Sequence, residues 1–482
     1  MSTYATQHRE AQIAFAQSNG TLLRRLRKRN RFFHSQVNRL ISSQIQPESR
    51  VIDIGCSDGE LLAAIAPKTD EAVGIDLDSA AIDDAVSRGL TADFLAGAVE
   101  ELSHPPLTDP DVIVLSMVLD QVYDVYTVLR RVHDWATPTT RVVVVSYSRL
   151  WRPLLRLAEL LRLKAVNPEE SYVPRAEVEN LLESCQFEIT KRLDGVLAPI
   201  RIPLLSRFLN RWIAPLPVIR HLGLVHVTVA RPIRKAPRPN ESVSVIIAAR
   251  NEEGHIRELV ERIPRMSNEQ EVIFVEGGSS DDTWGAIQAE VDGHDPTSGQ
   301  RIIALKQPGK GKGDAVRTGF AAATGDILMI LDADISVPPE ELPRFCEALR
   351  SDACEFANGS RLVYPMEDKA MRFLNMLGNK VFGMLFSYLL GQTIRDTLCG
   401  TKVLRREYYE KIAANRETFG DFDPFGDFDL LFGAAGLGMR IRDVPVHYKE
   451  RRYGETNISR FRHGLLLLRM SRIAAARLKF IG

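Results

Sequence analysis

Asp332 and Asp334 stand in Ile330-Leu331-Asp332-Ala333-Asp334, after a Thr324-Gly325-Asp326 turn and an aliphatic run that reads as a β-strand. Two carboxylates at that spacing reach one ion only if the strand ends there and the chain bends. Magnesium or manganese takes such hard oxygen ligands and completes its shell with phosphates and water. Asp332 and Asp334 are therefore the expected metal ligands. Earlier strand ends supply companions. Val243–Ile247 runs into Arg250-Asn251-Glu252-Glu253, and Glu271–Val275 into Glu276-Gly277-Gly278-Ser279, the kind of strand terminus that carries ligands in α/β sheets. Gly309-Lys310-Gly311-Lys312-Gly313 adds flexible backbone and cations suited to a diphosphate. It is not a Walker loop, because no Gly-Lys-Ser/Thr occurs there.

A second constellation lies far upstream. Val51-Ile52-Asp53-Ile54 leads into Gly55-Cys56-Ser57-Asp58-Gly59 and a helical pattern, so backbone amides can approach a nucleotide closely. Asp76, in Gly74-Ile75-Asp76-Leu77-Asp78, closes the next strand, where a carboxylate can accept both hydroxyls of a ribose. The spacing Asp53-x-Gly55-x-x-x-Gly59 differs from Gly-x-Gly-x-x-Gly, which disfavours NAD.

The elements that must hold these residues follow from hydrophobic patterning. Short aliphatic runs at Val51–Ile54, Ala72–Ile75, Val112–Leu115 and Arg141–Val145 alternate with helical patterns at Glu60–Ala66 and Tyr126–Trp135. Such interleaving implies a parallel, doubly wound sheet. Leu150–Leu163 reads as an amphipathic helix over a cleft, Val173–Ile189 as a helix and a strand, and Val225–Ala230 as a further strand. Residues 231–241, with Pro232, Pro237, Pro239 and several cations, read as the linker between an upstream domain, 1–230, and a downstream one, 242–482. The chain of 482 residues is long enough for two cores.

Lysine plus arginine equals aspartate plus glutamate at 62 each, which gives no global bias toward nucleic acid. The 5 cysteines lack metal-ligand spacing and suit reduced core thiols in a cytoplasmic setting. No uncharged apolar stretch reaches the roughly 18 residues needed to span a bilayer. Arg24, Arg25, Arg27, Lys28, Arg29 and Arg31 form a basic run without acids, read equally as a solvated helix face or a contact with anionic lipid. Met371–Leu390 is apolar on much of its circumference, and Arg460–Lys479 is a leucine- and arginine-rich helix. His447 is read as a hydrogen-bonded structural group rather than a ligand.

The stretch from Arg50 to Ser146 resembles the class I S-adenosylmethionine-dependent methyltransferases, through Val51–Leu62 and Gly74–Asp78. That resemblance implies a Rossmann-like fold, S-adenosylmethionine as cofactor, Asp53, Gly55 and Gly59 on the methionine side, and Asp76 on the ribose. The acid many members carry after the third strand is replaced by Gly97-Ala98-Val99-Glu100. From Ser242 to Leu468 the chain resembles inverting family 2 glycosyltransferases of the GT-A fold, above all the dolichol-phosphate mannose synthase-like branch. The motifs are Val245–Glu253, Glu276–Thr283, Gly311–Gly319, Leu331–Pro338, Gly359–Arg361, Asp396–Arg405 and Asp443–Asn457. This implies Glu252 and Glu276 on the nucleotide, Lys312 beside the phosphates, and Asp332 and Asp334 on the metal, with Asp334 the one on which catalysis depends.

The acceptor sets the mechanism. A lipid phosphate is anionic near neutral pH and needs cations, for which Arg361, Arg372, Arg451 and Arg452 are candidates. A hydroxyl needs a base, and Asp429 stands where the family places its functional acid. The expectation is thus an α/β chain of two domains, a methyltransferase fold followed by a GT-A fold. It would transfer a sugar from a nucleotide diphosphate to a polyprenyl phosphate or glycan and a methyl group from S-adenosylmethionine, at the inner face of a membrane. The alternatives are an upstream half that only binds, or a nucleotide-sugar-binding scaffold.

Overall fold

A computed structural model describes residues 3–122, 124–166, 173–233, 240–295, 299–362, 373–415, 428–449 and 460–480. The chain divides into two compact units, Met1–Arg234 with Ala476–Gly482, and Lys235–Ala475.

The first unit is built on a 7-stranded sheet in the order β3-β2-β1-β4-β5-β7-β6. The strands are β1 (Ser49–Ile54), β2 (Thr69–Asp76), β3 (Asp93–Ala96), β4 (Val112–Ser116), β5 (Arg141–Tyr147), β6 (Phe187–Gly195) and β7 (Val225–Pro232). Strands β1 to β5 pair in parallel, and β7 runs antiparallel to both β5 and β6. The sheet is therefore parallel only in part, since the return from β6 to β7 needs no crossover helix. Val51, Ile52, Val112 to Leu115 and Val142 are wholly buried, as expected of strands covered on both faces.

β7 also takes Arg231 and Pro232 from the segment read as linker. Pairing with β5 stops at Ala230, while Pro232 still faces Phe187 of β6. Proline fits there because the missing N–H falls where one neighbour has already ended. Arg231 is buried and donates to the carbonyls of Pro138 and Thr139.

The second unit has a 7-stranded sheet ordered β10-β9-β8-β11-β13-β12-β14. Its strands are β8 (Val243–Ala249), β9 (Gln270–Glu276), β10 (Gln300–Lys306), β11 (Ile327–Asp332), β12 (Phe356–Ser360), β13 (Lys402–Arg405) and β14 (Ile441–Pro445). β8 to β11 are parallel, and β13 is inserted antiparallel between β11 and β12. In each sheet the strand order reverses beside a central strand, between β1 and β4 and between β8 and β11. Ligands of open α/β sheets bind at the carboxyl ends of such strands.

The helix Phe373–Leu390 turns Phe386, Leu389 and Leu390 inward and exposes Val381 and Met384. Phe386 stacks on Phe432 at 5.2 Å and packs on Phe428. One face of the helix thus packs in the core and the other is open to solvent. All of the cysteines are free and buried, and burial pushes the Cys346 and Cys354 thiols up to about 12. Among the described residues no helix is long and apolar enough to cross a membrane.

Candidate functional site

β11 ends at Asp332, whose register partner is Ala248. Glu276 ends β9 opposite Ala249, so both acids stand at the carboxyl edge of one sheet. Beyond Asp332 the chain bends, with Ile335 at φ 55° and the Ser336 N–H donating to Asp334 Oδ1 at 3.1 Å. This supplies the bend that the pair needs.

Lys312, first residue of the helix Lys312–Ala322, places Nζ 2.6 Å from Asp332 Oδ1. Burial alone would raise the Asp332 pKa. The Lys312 ammonium, with Arg361 and Lys402 adding positive potential, outweighs that and holds it below the usual carboxylate value. Gly400 packs against this pair so closely that a Cβ there would fall on the Asp332 carboxylate and the Lys312 ammonium. Only glycine leaves the ion pair in place.

Behind it lies a buried polar network. Asp396 accepts from the Arg361 N–H at 3.0 Å, from Nε at 2.7 Å, from Nη2 at 2.9 Å, and from Asn379 Nδ2 at 2.7 Å. Burial would push this carboxyl up, but the Arg361 guanidinium drives it far below its ordinary value. Asn358 Nδ2 ties the Asp396 carbonyl to Asp443 Oδ1, at 2.9 and 2.7 Å. Arg361 also lies 4.8 Å from the centre of the Tyr448 ring. The Tyr448 hydroxyl is pushed up by burial and, despite Arg361, by the nearby charges of Asp334 and Asp332.

Arg361 is thus committed to Asp396 through two of its nitrogens, which makes it a scaffold for the site more than a free acceptor contact. Removing one partner of such a buried pair costs about 3–5 kcal/mol. We expect Arg361→Ala to lower the unfolding free energy by that margin, read as a lower denaturant midpoint at unchanged slope. Unchanged unfolding with a raised acceptor KM would return Arg361 to the contact role.

Glu252 and Glu276 are buried beside the neighbouring strand ends. Glu252 Oε2 is 2.9 Å from His255 Nδ1, and Glu276 Oε1 accepts from the Ser279 N–H at 2.5 Å. Both carboxylates shape the turns that follow β8 and β9. Asp429 is buried in the first turn of the helix Phe428–Gly436, where Oδ1 accepts from the Leu430 N–H at 2.8 Å. His447 Nδ1 is 2.6 Å from Glu341 Oε1. Arg372, Arg451 and Arg452 lie outside the described residues.

The first unit holds a cavity of about 1150 Å³, lined among others by Asp53, Gly55, Asp76, Gly97 and Met117. Gly55 and Gly59 adopt φ 79° and 72°, and a Cβ at Gly59 would meet Leu90 and Phe94 at 2.8 and 3.0 Å. The helix that follows, Glu60–Ile65, is only 6 residues long, so the loop amides matter more here than a helix dipole. Asp76 joins the strand ends: Oδ2 accepts from the Ser57 N–H at 2.8 Å and Oδ1 from the Asp78 N–H at 2.9 Å. Each oxygen keeps a lone pair for a ligand hydroxyl. Asp53 is buried, and its Oδ1 has no hydrogen-bond partner among the described residues. Burial, reinforced by the Asp76 charge, pushes its carboxyl up to about 8.

Arg27 of the helix Thr3–Arg29 donates to Ser57 Oγ at 2.8 Å and pairs with Asp58. Arg27, half-buried, is drawn onto the glycine loop, while Arg24, Arg25, Lys28, Arg29 and Arg31 stand exposed. Asp120, beyond β4, is buried and accepts from the Val173 N–H at 2.8 Å.

Residues 244–413 match the model of the glycosyl transferase family 2. A dolichyl-phosphate hexose transferase of Haloferax volcanii is 31% identical over 225 residues, covering 46% of this chain and 90% of that protein. The chain belongs to glycosyl transferase family 2.

Residues 25–192 match the model of a methyltransferase domain, so this family 2 glycosyltransferase carries a second transferase unit. The resemblances read from the two sets of motifs are both met, and the α/β fold of each unit agrees. Similar solved structures include magnesium protoporphyrin IX methyltransferase from Synechocystis PCC 6803, at 15% identity, TM-score 0.35, 47% of this chain and 99% of that one. A SAM-dependent methyltransferase from Methanosarcina mazei shows 22% identity, TM-score 0.30, and coverage of 40% and 96%. Within the glycosyltransferase unit, Asp396, Asn379, Asn358 and Tyr448 are the residues that sequence reading left without a role. Asp396 and Tyr448 carry a signal only as members of Asp396–Arg405 and Asp443–Asn457, Asn379 only as part of the apolar stretch Met371–Leu390, and Asn358 only as the neighbour of Gly359–Arg361.

Proposed function

We propose that the glycosyltransferase unit transfers a sugar, with inversion, from a nucleotide diphosphate to a polyprenyl phosphate. The observation that carries this reading is the Lys312–Asp332 pair at the end of β11, with Asp334 in the turn that follows. The likeness to a dolichyl-phosphate hexose transferase supports the acceptor class. An acceptor phosphate oxygen attacks the anomeric carbon, the bond from that carbon to the diphosphate oxygen breaks, and the nucleoside diphosphate leaves. No proton moves. Lys312 positions the diphosphate, Glu252 and Glu276 shape the turns against the nucleoside, and the Arg361–Asp396 network fixes the wall behind Asp332.

The donor set fits magnesium or manganese held by few protein ligands. Asp334 offers one carboxylate and Asp332 shares its own with Lys312, which suits an ion that takes most of its shell from phosphates and water. When bound, the ion offsets the charge that develops on the leaving diphosphate.

The methyltransferase unit, on this reading, uses S-adenosylmethionine. The cavity takes the nucleoside against Asp76 and the methionine end against the glycine loop, and the unpartnered Asp53 oxygen suits a cationic group. The unit holds the cofactor by backbone approach and positions it for in-line displacement. The chain works at the cytoplasmic face of a membrane, in the building of a glycolipid or polysaccharide precursor.

Asp429 separates the acceptor classes. With a phosphate acceptor, Asp429→Asn is expected to keep turnover within about threefold, since no base is required. With a hydroxyl acceptor it should lose roughly 10²–10⁴-fold, the usual contribution of a general base. Steady-state transfer by the variant discriminates, and the larger loss would contradict the phosphate reading.

A further inference from the structure

Two segments of the methyltransferase unit present apolar side chains to solvent. The helix Arg152–Leu160 has no buried residue, and Leu150, Leu154, Leu157 and Leu160 are all exposed around it. The second segment, between β6 and β7, buries its polar groups and presents its apolar ones. Ser206 Oγ donates to the Ile200 carbonyl at 2.6 Å, and the Asn210 amide both accepts from and donates to the Ala198 backbone at 2.9 Å. Leu204 is meanwhile 87% exposed and Val218 82%, with Ile200, Phe208 and Trp212 open to solvent as well. The segments adjoin, since Trp151 Nε1 donates to the Leu222 carbonyl at 2.8 Å.

Their charge is one-sided. From Val196 to Leu224 there is no acidic residue, and Arg201, Arg207, Arg211 and Arg220 are interleaved with the apolar side chains. From Arg149 to Lys164 the one acid, Glu159, is held by Lys164 at 2.9 Å. Among the described residues no carboxylate pairs with Arg149, Arg156, Arg201, Arg207 or Arg211. The Arg39 guanidinium is lowered by burial and by Arg207 and Arg211 beside it, the sign of a cationic cluster lacking its counter-charge. An apolar surface of this extent marks an interaction site. Its alternation of arginine with leucine and tryptophan matches elements that lie in a bilayer interface, apolar groups among the acyl chains and cations at the phosphates.

We propose that this face of the methyltransferase unit docks on an anionic bilayer. The surface is continuous with the cofactor cavity, because Leu154, Leu157, Leu161 and Ile200 also line it. Docking therefore places the cavity against the lipid, and the methyl acceptor is drawn from the membrane. The inference rests on the reading that the chain works at a membrane, and adds to it a surface separate from the sugar-transfer site.

The test is cosedimentation of the full chain with vesicles of phosphatidylcholine alone and of phosphatidylcholine mixed with phosphatidylglycerol. Two double variants are compared, Leu204→Asp with Val218→Asp, and Arg207→Glu with Arg211→Glu. Thermal unfolding checks that each is folded, and sugar transfer to polyprenyl phosphate in detergent is measured in parallel. The expected result is binding to the mixed vesicles at least tenfold tighter than to neutral ones, weakened at least tenfold in each variant with detergent-phase transfer retained. Absent binding, equal binding to both vesicles, or variants that bind as well as the parent would overturn the proposal. So would a dimer that both variants split without change in vesicle binding, which would assign the face to a second copy. Failure of sugar transfer in the parent chain would count against the acceptor reading and leave the vesicle result standing.

Discussion

Replacing Asp334 by alanine is expected to cut sugar transfer by about 10³-fold, the equivalent of roughly 4 kcal/mol of charge stabilisation in the transition state. The residue lies beyond the end of β11, half-buried, and its carboxylate spends one oxygen on the Ser336 N–H. The strand core beneath it, Ile327 to Leu331, is packed independently of that carboxylate. Unfolding should therefore barely change, and binding of S-adenosylmethionine to the first unit should be untouched. Measuring transfer over a magnesium and manganese titration reads the effect. Turnover within a few-fold of the parent would remove Asp334 from the site.

The second large effect concerns Asp53 and pH. Its carboxyl is raised from 3.8 to about 8 because it is buried beside Asp76. The ligand-free folded unit thus keeps a proton that the unfolded chain has already lost, so this group's contribution to stability declines as pH rises from about 4 to about 8. A cationic ligand reverses the preference by binding best to the ionised carboxylate. Affinity for S-adenosylmethionine should then rise by up to tenfold per pH unit between about 6 and 8 and level off above, with one proton released on binding. Asp53→Asn should flatten the profile at the weak end. Calorimetry in buffers of different ionisation enthalpy measures the proton directly, and a parent protein with no slope and no proton release would contradict the assignment.

The strand ends that carry chemistry were legible because of local composition. Ile327–Leu331 is an unbroken apolar run closed by Asp332, and Val51–Ile54 is interrupted only by Asp53 before Gly55. Buried parallel strands look like that wherever they occur. The bend after Asp332 is the condition under which two carboxylates at that spacing reach one ion, and the chain meets it. Roles that depend on distant partners were not legible. Arg361 reads as a free cation until Asp396, 35 positions later, is seen to bind it in a fork. Arg27 reads as part of a solvated basic face until helix packing turns it onto Ser57 and Asp58. Pro232 reads as a strand breaker until the pairing with β5 is seen to end at Ala230. In each case the deciding contact joins residues far apart in sequence, where periodicity carries no signal. Leu150–Leu163 reads as the cover of a cleft; Leu154, Leu157 and Leu161 do line the cavity, but they also stand open to solvent.

The most direct test of the central claim is to incubate the purified chain with magnesium or manganese, polyprenyl phosphate and a panel of labelled nucleotide sugars, and to follow the label into the organic phase. The account predicts that label from one donor moves and that the product releases its sugar under mild acid, as a glycosyl phosphate does. Donor binding without any movement of label to the lipid, while a glycan acceptor takes the sugar, would contradict it.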